Sequence, residues 1–205
     1  MFFAKTFARA LVPAMAVALA IPAPAATSND LALVQTSLAA TRSMTADFLQ
    51  ADGKGRQQVG SLTLKQPGRI RFEYKGANAL LVADGRTLHY LDYDVGQHSK
   101  WAIDKSPLAV LLSSNPDLGR IARILPSGNA QVVVVRARDA RHPEFGTLVL
   151  AFQRSAGAPG GLKLEGWTAI DAQNKKTTVR LSSQRYNIAV PESAFSFTEP
   201  KRKKA

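Results

Sequence analysis

Three histidines, His89, His98 and His142, are the only imidazoles in the chain, and no two of them stand at metal-ligand spacing. The chain has no cysteine, which excludes thiol catalysis and a disulfide scaffold. It contains no Gly-x-Ser-x-Gly elbow, phosphate loop or dinucleotide fingerprint. The carboxylates Glu73, Asp92, Asp94 and Glu165 fall on alternating segments, where a solvated strand face is the ordinary reading. With no nucleophile beside a base, neither an enzyme nor a metal or other cofactor is expected. The chemistry left is that of apolar surface. In Gly60 to Tyr74, GSLTLKQPGRIRFEY, Leu62 and Leu64 alternate with Ser61, Thr63 and Lys65. After Pro67-Gly68, Ile70, Phe72 and Tyr74 alternate with Arg69, Arg71, Glu73 and Lys75. Period-two alternation marks strands with one apolar and one wet face, and the Pro-Gly pair marks the turn of an antiparallel hairpin. The apolar face meets either protein alone or a greasy ligand as well. The wet face is strongly basic.

The rest of the chain supplies elements to hold that hairpin. Ser28 or Asn29 caps a helix with Leu31, Val34 and Leu38 on one face. Met44 to Gln50 reads as the first strand, and Asp52 to Gly55 as a turn. Leu80 to Ala83, Arg86 to Tyr93 and Gln97 to Ile103 read as further strands, the first two joined at Asp84-Gly85. The period then changes. Ser106-Pro107 is a helix start, followed by Leu108, Leu111 and Leu112 at helical spacing. Asn115-Pro116 repeats the signal before a second stripe of Leu118, Ile121, Ala122 and Leu125. Strands resume over Gln131 to Ala137, Gly146 to Gln153, Leu162 to Asp171 and Lys176 to Gln184, and the chain closes with Phe195, Ser196 and Phe197. There is no internal repeat and no long linker. One mostly-β α+β domain is expected: a single antiparallel sheet of about nine to eleven strands, one helix before it and two inserted midway. A sheet of that size should curl rather than lie flat.

The amino terminus points to export. Lys5 and Arg9 precede an apolar run from Ala10 to Ile21, and Ala23-Pro24-Ala25 offers small residues for cleavage after Ala25 or Ala26. The pattern is that of a secretory signal over residues 1–25, too short for a membrane span. The missing cysteine leaves no site for a lipid anchor, so a soluble periplasmic protein is expected. The formal charge is +12, about +10 without the two signal-borne cations. Four basic residues, Lys201, Arg202, Lys203 and Lys204, crowd the tail 201–205. For an exported protein such charge implies anionic lipid or an acidic protein face rather than nucleic acid, or a solvated tail.

From Met44 onward the motifs come in a recognisable order. They run Met44-x3-Phe48-x-Gln50, then Gly60-x-Leu62-x-Leu64-Lys65-x-Pro67, then Arg69-x-Arg71-Phe72-x-Tyr74. Val82-Ala83-Asp84-Gly85-Arg86-Thr87-Leu88, Tyr90 and Gln97 follow, with Pro107-Leu108 before an apolar helix and Phe195-x-Phe197 near the end. In order and spacing over residues 26–200 the chain resembles the periplasmic outer-membrane lipoprotein carrier family, the LolA type. The resemblance implies an incomplete antiparallel half barrel, closed by helices that form a lid over a hydrophobic cavity for lipoprotein acyl chains. It also implies the partners: lipidated proteins, an inner-membrane ATP-driven lipoprotein-releasing transporter and an outer-membrane acceptor, met by a monomer.

On that resemblance Phe48, Leu62, Leu64, Ile70, Phe72, Tyr74, Leu88, Tyr90 and Trp101 are the candidate cavity wall, and Leu108, Leu111 and Leu112 the candidate lid. Lys65, Arg69, Arg71 and Lys75 are either a docking face or simply solvated. Family members often carry an arginine just before the proline, where it tethers the lid; this chain has Gln66, a weaker neutral donor. Arg69 and Arg71 are the nearest cations, but alternation points both away from Ile70 and Phe72. Family aromatic positions are also altered at His89 and Leu91. A second reading is a non-transporting periplasmic sensor or adaptor on the same fold, binding another lipid or a hydrophobic peptide.

Overall fold

The computed structural model describes residues 28–201; the expected signal segment and most of the basic tail lie outside these residues. A helix α1 (Ser28–Ala40) leads into a meander of six strands: β1 (Ser43–Asp52), β2 (Gln57–Lys65), β3 (Arg69–Tyr74), β4 (Ala79–Asp84), β5 (Thr87–Asp92) and β6 (Gln97–Ala102). Two single helical turns follow, α2 (Ala109–Leu112) and α3 (Leu118–Ile121). A second meander then runs through β7 (Ala122–Leu125), β8 (Val132–Ala137), β9 (Thr147–Arg154), β10 (Leu162–Ile170) and β11 (Lys176–Tyr186). All eleven strands form one sheet in the order β6-β5-β4-β3-β2-β1-β11-β10-β9-β8-β7. Within each meander every strand pairs with its chain neighbour. The two meanders join only where β1 pairs antiparallel with β11, with a bulge between Thr45 and Asp47.

Alternation decides which side of the sheet is buried. Leu62, Leu64, Ile70 and Phe72 from the first meander and Val133, Val135, Leu148, Leu150 and Phe152 from the second are buried in one cluster. Val34 and Leu38 of α1, Leu111 and Leu112 of α2, and Leu118 of α3 belong to that same cluster. All three helices therefore cover one face. On the opposite face a smaller cluster of Leu80, Val82 and Leu91 is capped by Phe195.

The expected second helical stripe divides. Leu118 and Ile121 are helical, but Ala122 to Leu125 form β7, paired with β8 from Ala122↔Ala137 to Leu125↔Val134. A four-residue apolar spacing suits either state, and the sheet edge decides it. The helix start at Ser106 also differs: its hydroxyl donates to the Ile103 carbonyl at 2.8 Å, and α2 begins three residues later without a side-chain cap. Among the described residues no helix is long and apolar enough to cross a membrane.

Candidate functional site

Directly paired residues of an antiparallel sheet share a face. Leu62, Phe72, Leu81, Tyr90 and Ser99 form one row across β2 to β6, and Leu64, Ile70, Ala83, Leu88 and Trp101 form the next. Phe48, Gly60 and Tyr74 form a third. All nine candidate wall residues thus lie on the helix-covered side. Their burial is graded. Phe48, Leu62, Leu64, Ile70, Phe72 and Leu88 are buried, Tyr74 and Tyr90 half-buried, and Trp101, on the edge strand β6, is 51% exposed. The row that ends at Trp101 therefore runs from the core out to the rim of the sheet.

The centre of this face is aromatic. The Phe48 ring meets Phe72 edge-on at 5.1 Å between centroids and Tyr74 at 5.4 Å. Gly60 makes room for it: a Cβ there would stand 2.7 Å from the Phe48 ring and 2.0 Å from the Glu73 carbonyl oxygen. Phe72 also meets Trp167 of β10 edge-on at 6.1 Å. Trp167 was not expected here. From Leu162 and Leu164 strict alternation continues to Gly166 and Thr168, but the β9–β10 register slips between Leu164 and Gly166. The slip turns Trp167 inward, 4% exposed. The available signal was Gly166 itself, since a glycine inside a strand marks a bulge.

Tyr74 donates its hydroxyl to Gln50 Oε1 at 3.3 Å. Burial, with Tyr90 as a like-charged neighbour, pushes its phenol up to about 12. The side chains close over one another tightly. Between α1, α2 and the sheet, beside Leu38, Met44, Leu64, Gln66, Leu111 and Phe152, there is a void of only about 10 Å³, room for one water at most.

The helices over this face are held unequally. On α1, Asp30 pairs with Arg154 at 2.6 Å. The Ser37 hydroxyl lies 2.8 Å from the Pro159 carbonyl and 3.0 Å from that of Leu162, and Asn187 Nδ2 donates to the Ala40 carbonyl at 3.0 Å. The candidate lid residues Leu108, Leu111 and Leu112 are all buried in the core, yet α2 is one turn with few polar ties. The Gly68 amide donates to the Leu112 carbonyl at 2.9 Å. Gln66 Nε2 lies 3.3 Å from both the Leu111 carbonyl of α2 and the Leu38 carbonyl of α1. The residue before Pro67 therefore reaches both helices, as a neutral amide with two long hydrogen bonds.

The basic residues occupy the other face, and three of the four meet the chain's own C-terminal segment. Glu192 pairs with Lys65 at 2.6 Å and with Arg69. Lys65 Nζ also donates to the Val190 carbonyl at 2.8 Å. Arg71 donates to the Ser196 carbonyl and to Glu73, each at 2.8 Å. The Lys65 hydrogen bond, against some desolvation, and the Arg69 charge together hold the Glu192 carboxyl below its ordinary range. Lys75 is exposed. Nothing in the sequence singled out Glu192, because its partners lie more than a hundred residues upstream. Among the described residues no group of three or more His, Asp or Glu side chains is placed to hold a metal ion.

The geometry defines a single-sheet β protein with an apolar, aromatic face under one firmly held helix and one lightly held helical turn. The family model for the outer membrane lipoprotein carrier protein LolA matches residues 39–198, and the chain belongs to this family of non-enzymatic lipoprotein carriers. It is 28% identical over 201 residues to an outer-membrane lipoprotein carrier protein of Chromobacterium violaceum, covering 93% of each chain. It is 30% identical over 172 residues to that of Dechloromonas aromatica, covering 78% of this chain and 79% of the relative. Among solved structures, a DUF1329 family protein from Desulfovibrio piger superposes with a TM-score of 0.52 at 8% identity, covering 84% of this chain and 97% of that one. The Pseudomonas aeruginosa MucA/MucB complex gives 0.50 at 14% identity, covering 87% of this chain and 64% of that one. At such identities the likeness is one of fold.

Proposed function

We propose that this carrier takes up lipoprotein acyl chains between its sheet and α2, crosses the periplasm as a monomer, and delivers them to an outer-membrane acceptor after loading at an inner-membrane ATP-driven transporter. The observation that carries the reading is the contrast between the helices: α1 is pinned by side chains along its length, whereas α2 hangs over the same apolar face by the Gly68 amide and the Gln66 carboxamide. A single helical turn has almost no stability of its own, so α2 is the piece that opens. Leu108, Leu111 and Leu112 are then the lid, and the rows from Phe48 to Leu88 the wall it uncovers.

The reading includes a sheet curled into a half barrel, and one aromatic contact supports that. Strands β3 and β10 are four steps apart in the sheet, about 19 Å if it lay flat, yet Phe72 and Trp167 bring their rings to 6.1 Å. A curled sheet concentrates its apolar face into a trough. The thermodynamic need for a trough is plain. Each buried methylene of an acyl chain is worth about 0.8 kcal/mol, so a protein with two or more chains does not cross water unaided. The void of about 10 Å³ between α1, α2 and the sheet supports entry there by displacement of the lid.

The test is to add the mature protein to spheroplasts and look for a newly made lipoprotein in the soluble fraction, bound one to one. Leu111→Glu should abolish uptake while the sheet stays folded. No release, beside a known carrier that works, would favour a sensor or adaptor. Unfolding of Leu111→Glu would make Leu111 ordinary core.

A further inference from the structure

The C-terminal segment lies across the sheet face opposite the helices. Phe195 seats on Leu80, Val82 and Leu91, Tyr93 donates to the Thr198 carbonyl at 3.0 Å, and Phe197 packs on His89 and His98, with ring centroids 4.7 and 5.8 Å away. Its far end is fastened by a line of four groups. Asp84 Oδ2 lies 3.0 Å from His89 Nε2, His89 Nδ1 lies 3.0 Å from His98 Nε2, and His98 Nδ1 lies 2.5 Å from Glu199 Oε2. The two histidine side chains are only 8% and 11% exposed.

Proton counting constrains this line. An ionised carboxylate only accepts, so His89 Nε2 and His98 Nδ1 must each carry hydrogen. The contact between the rings needs one hydrogen, on one nitrogen or the other. The four nitrogens therefore hold three hydrogens: one imidazolium and one neutral imidazole. With two hydrogens, either two lone pairs face each other at 3.0 Å or a carboxylate loses its bond. With four, two N–H groups collide. The surrounding charges are those of Asp84, Glu199, Lys100, which stands opposite His89 across β5 and β6 and 3.9 Å from Glu199, Arg69 opposite Asp84 across β3 and β4, and Arg71, which holds the Ser196 carbonyl. Asp84 stays ionised throughout: burial pushes its carboxyl up, but the Thr87 and Arg86 amides and His89 outweigh that and bring it to about 2.

We infer that His89 and His98 form a proton-counting clasp, which holds the C-terminal segment down when the pair shares one extra proton and loosens it when that proton is lost or a second is gained. Loosening uncovers Leu80, Val82 and Leu91 and frees Lys65, Arg69 and Arg71 from Glu192 and Ser196. The inference rests on the polar line alone, not on the carrier reading.

Nitrogen-15 labelling of the histidines, with amide exchange of Ala194 and Ser196, tests it between about pH 5 and about pH 8, the span over which imidazoles change charge. A scalar coupling across the N–H···N bond is expected, together with protection factors that peak inside the span. In His98→Gln and Glu199→Gln the peak should flatten and protection at its former maximum should fall about tenfold, as for loss of one charge-assisted bond. Absence of the coupling, a flat wild-type profile, or a peak that survives in either variant would overturn the clasp.

Discussion

Single residues set how firmly the apolar face is closed. Gln66 joins α1 and α2 through one carboxamide with two long contacts, so Gln66→Ala should cost only about 1 kcal/mol of global stability. The Ser113 amide, which closes α2, should nevertheless exchange faster. Gln66→Arg should do the opposite and slow lipoprotein uptake from spheroplasts, because a charged donor binds carbonyls more strongly. Phe48 is different in kind. It is buried against Phe72, Tyr74 and Gly60, and Phe48→Ala should destabilise by about 3 to 5 kcal/mol in urea titration. Tyr74 gives a spectroscopic test. Its pKa of about 12 exceeds its ordinary 10.0, so the folded state holds the proton longer than the unfolded state. The contribution is therefore fully present below about pH 10 and is lost as pH rises through about 12. Tyrosinate absorbance should show one phenol titrating that late, and Gln50→Leu, which removes a carboxamide that can turn its N–H to the phenolate, should delay it further.

At the scale of elements, the alternating segments were legible in the sequence because their period reports the face directly. The hairpin of β2 and β3, the inward Leu62, Leu64, Ile70 and Phe72, and the outward Arg69 and Arg71 all follow from spacing. Spacing fails where an element is interrupted or borrowed. The bulge before Gly166 turned Trp167 inward against the pattern, and pairing with β8 turned Ala122 to Leu125 from helix to strand. The contrast between α1 and α2 was equally out of reach, since Arg154, Pro159 and Asn187 are distant in sequence from the helix they hold. Gly60→Ala tests how strictly β2 fits: a Cβ 2.0 Å from the Glu73 carbonyl oxygen must push β3 away. A lowered melting temperature is expected, with the Phe72 and Tyr74 resonances shifted and those of Val133 and Leu148 unchanged.

At the scale of the molecule, the two faces divide the labour. The helix-covered face is apolar and closed; the other face binds the chain's own carboxyl-terminal segment through Glu192, Ser196 and Glu199. Glu192→Gln should leave the main core intact and expose two uncompensated cations, Lys65 and Arg69. Binding of the protein to anionic vesicles should then rise at low salt and vanish at high salt, since exposed charges are screened. Equal binding by both proteins would mean that Glu192 does not mask this surface.

The seam between β1 and β11 has a consequence for assembly. Every other pairing in the sheet joins strands that follow one another along the chain, and each meander is local enough to form early. The seam brings Thr45 beside Arg185 and Asp52 beside Thr177, so its closure must await almost the entire polypeptide. Long-range closures of this kind dominate folding times. The sheet is in effect a zip whose two halves lie at opposite ends of the thread, and a chain halted before Lys176 would leave β1 and β10 as two raw edges, free to stick to other chains until the last strand arrives.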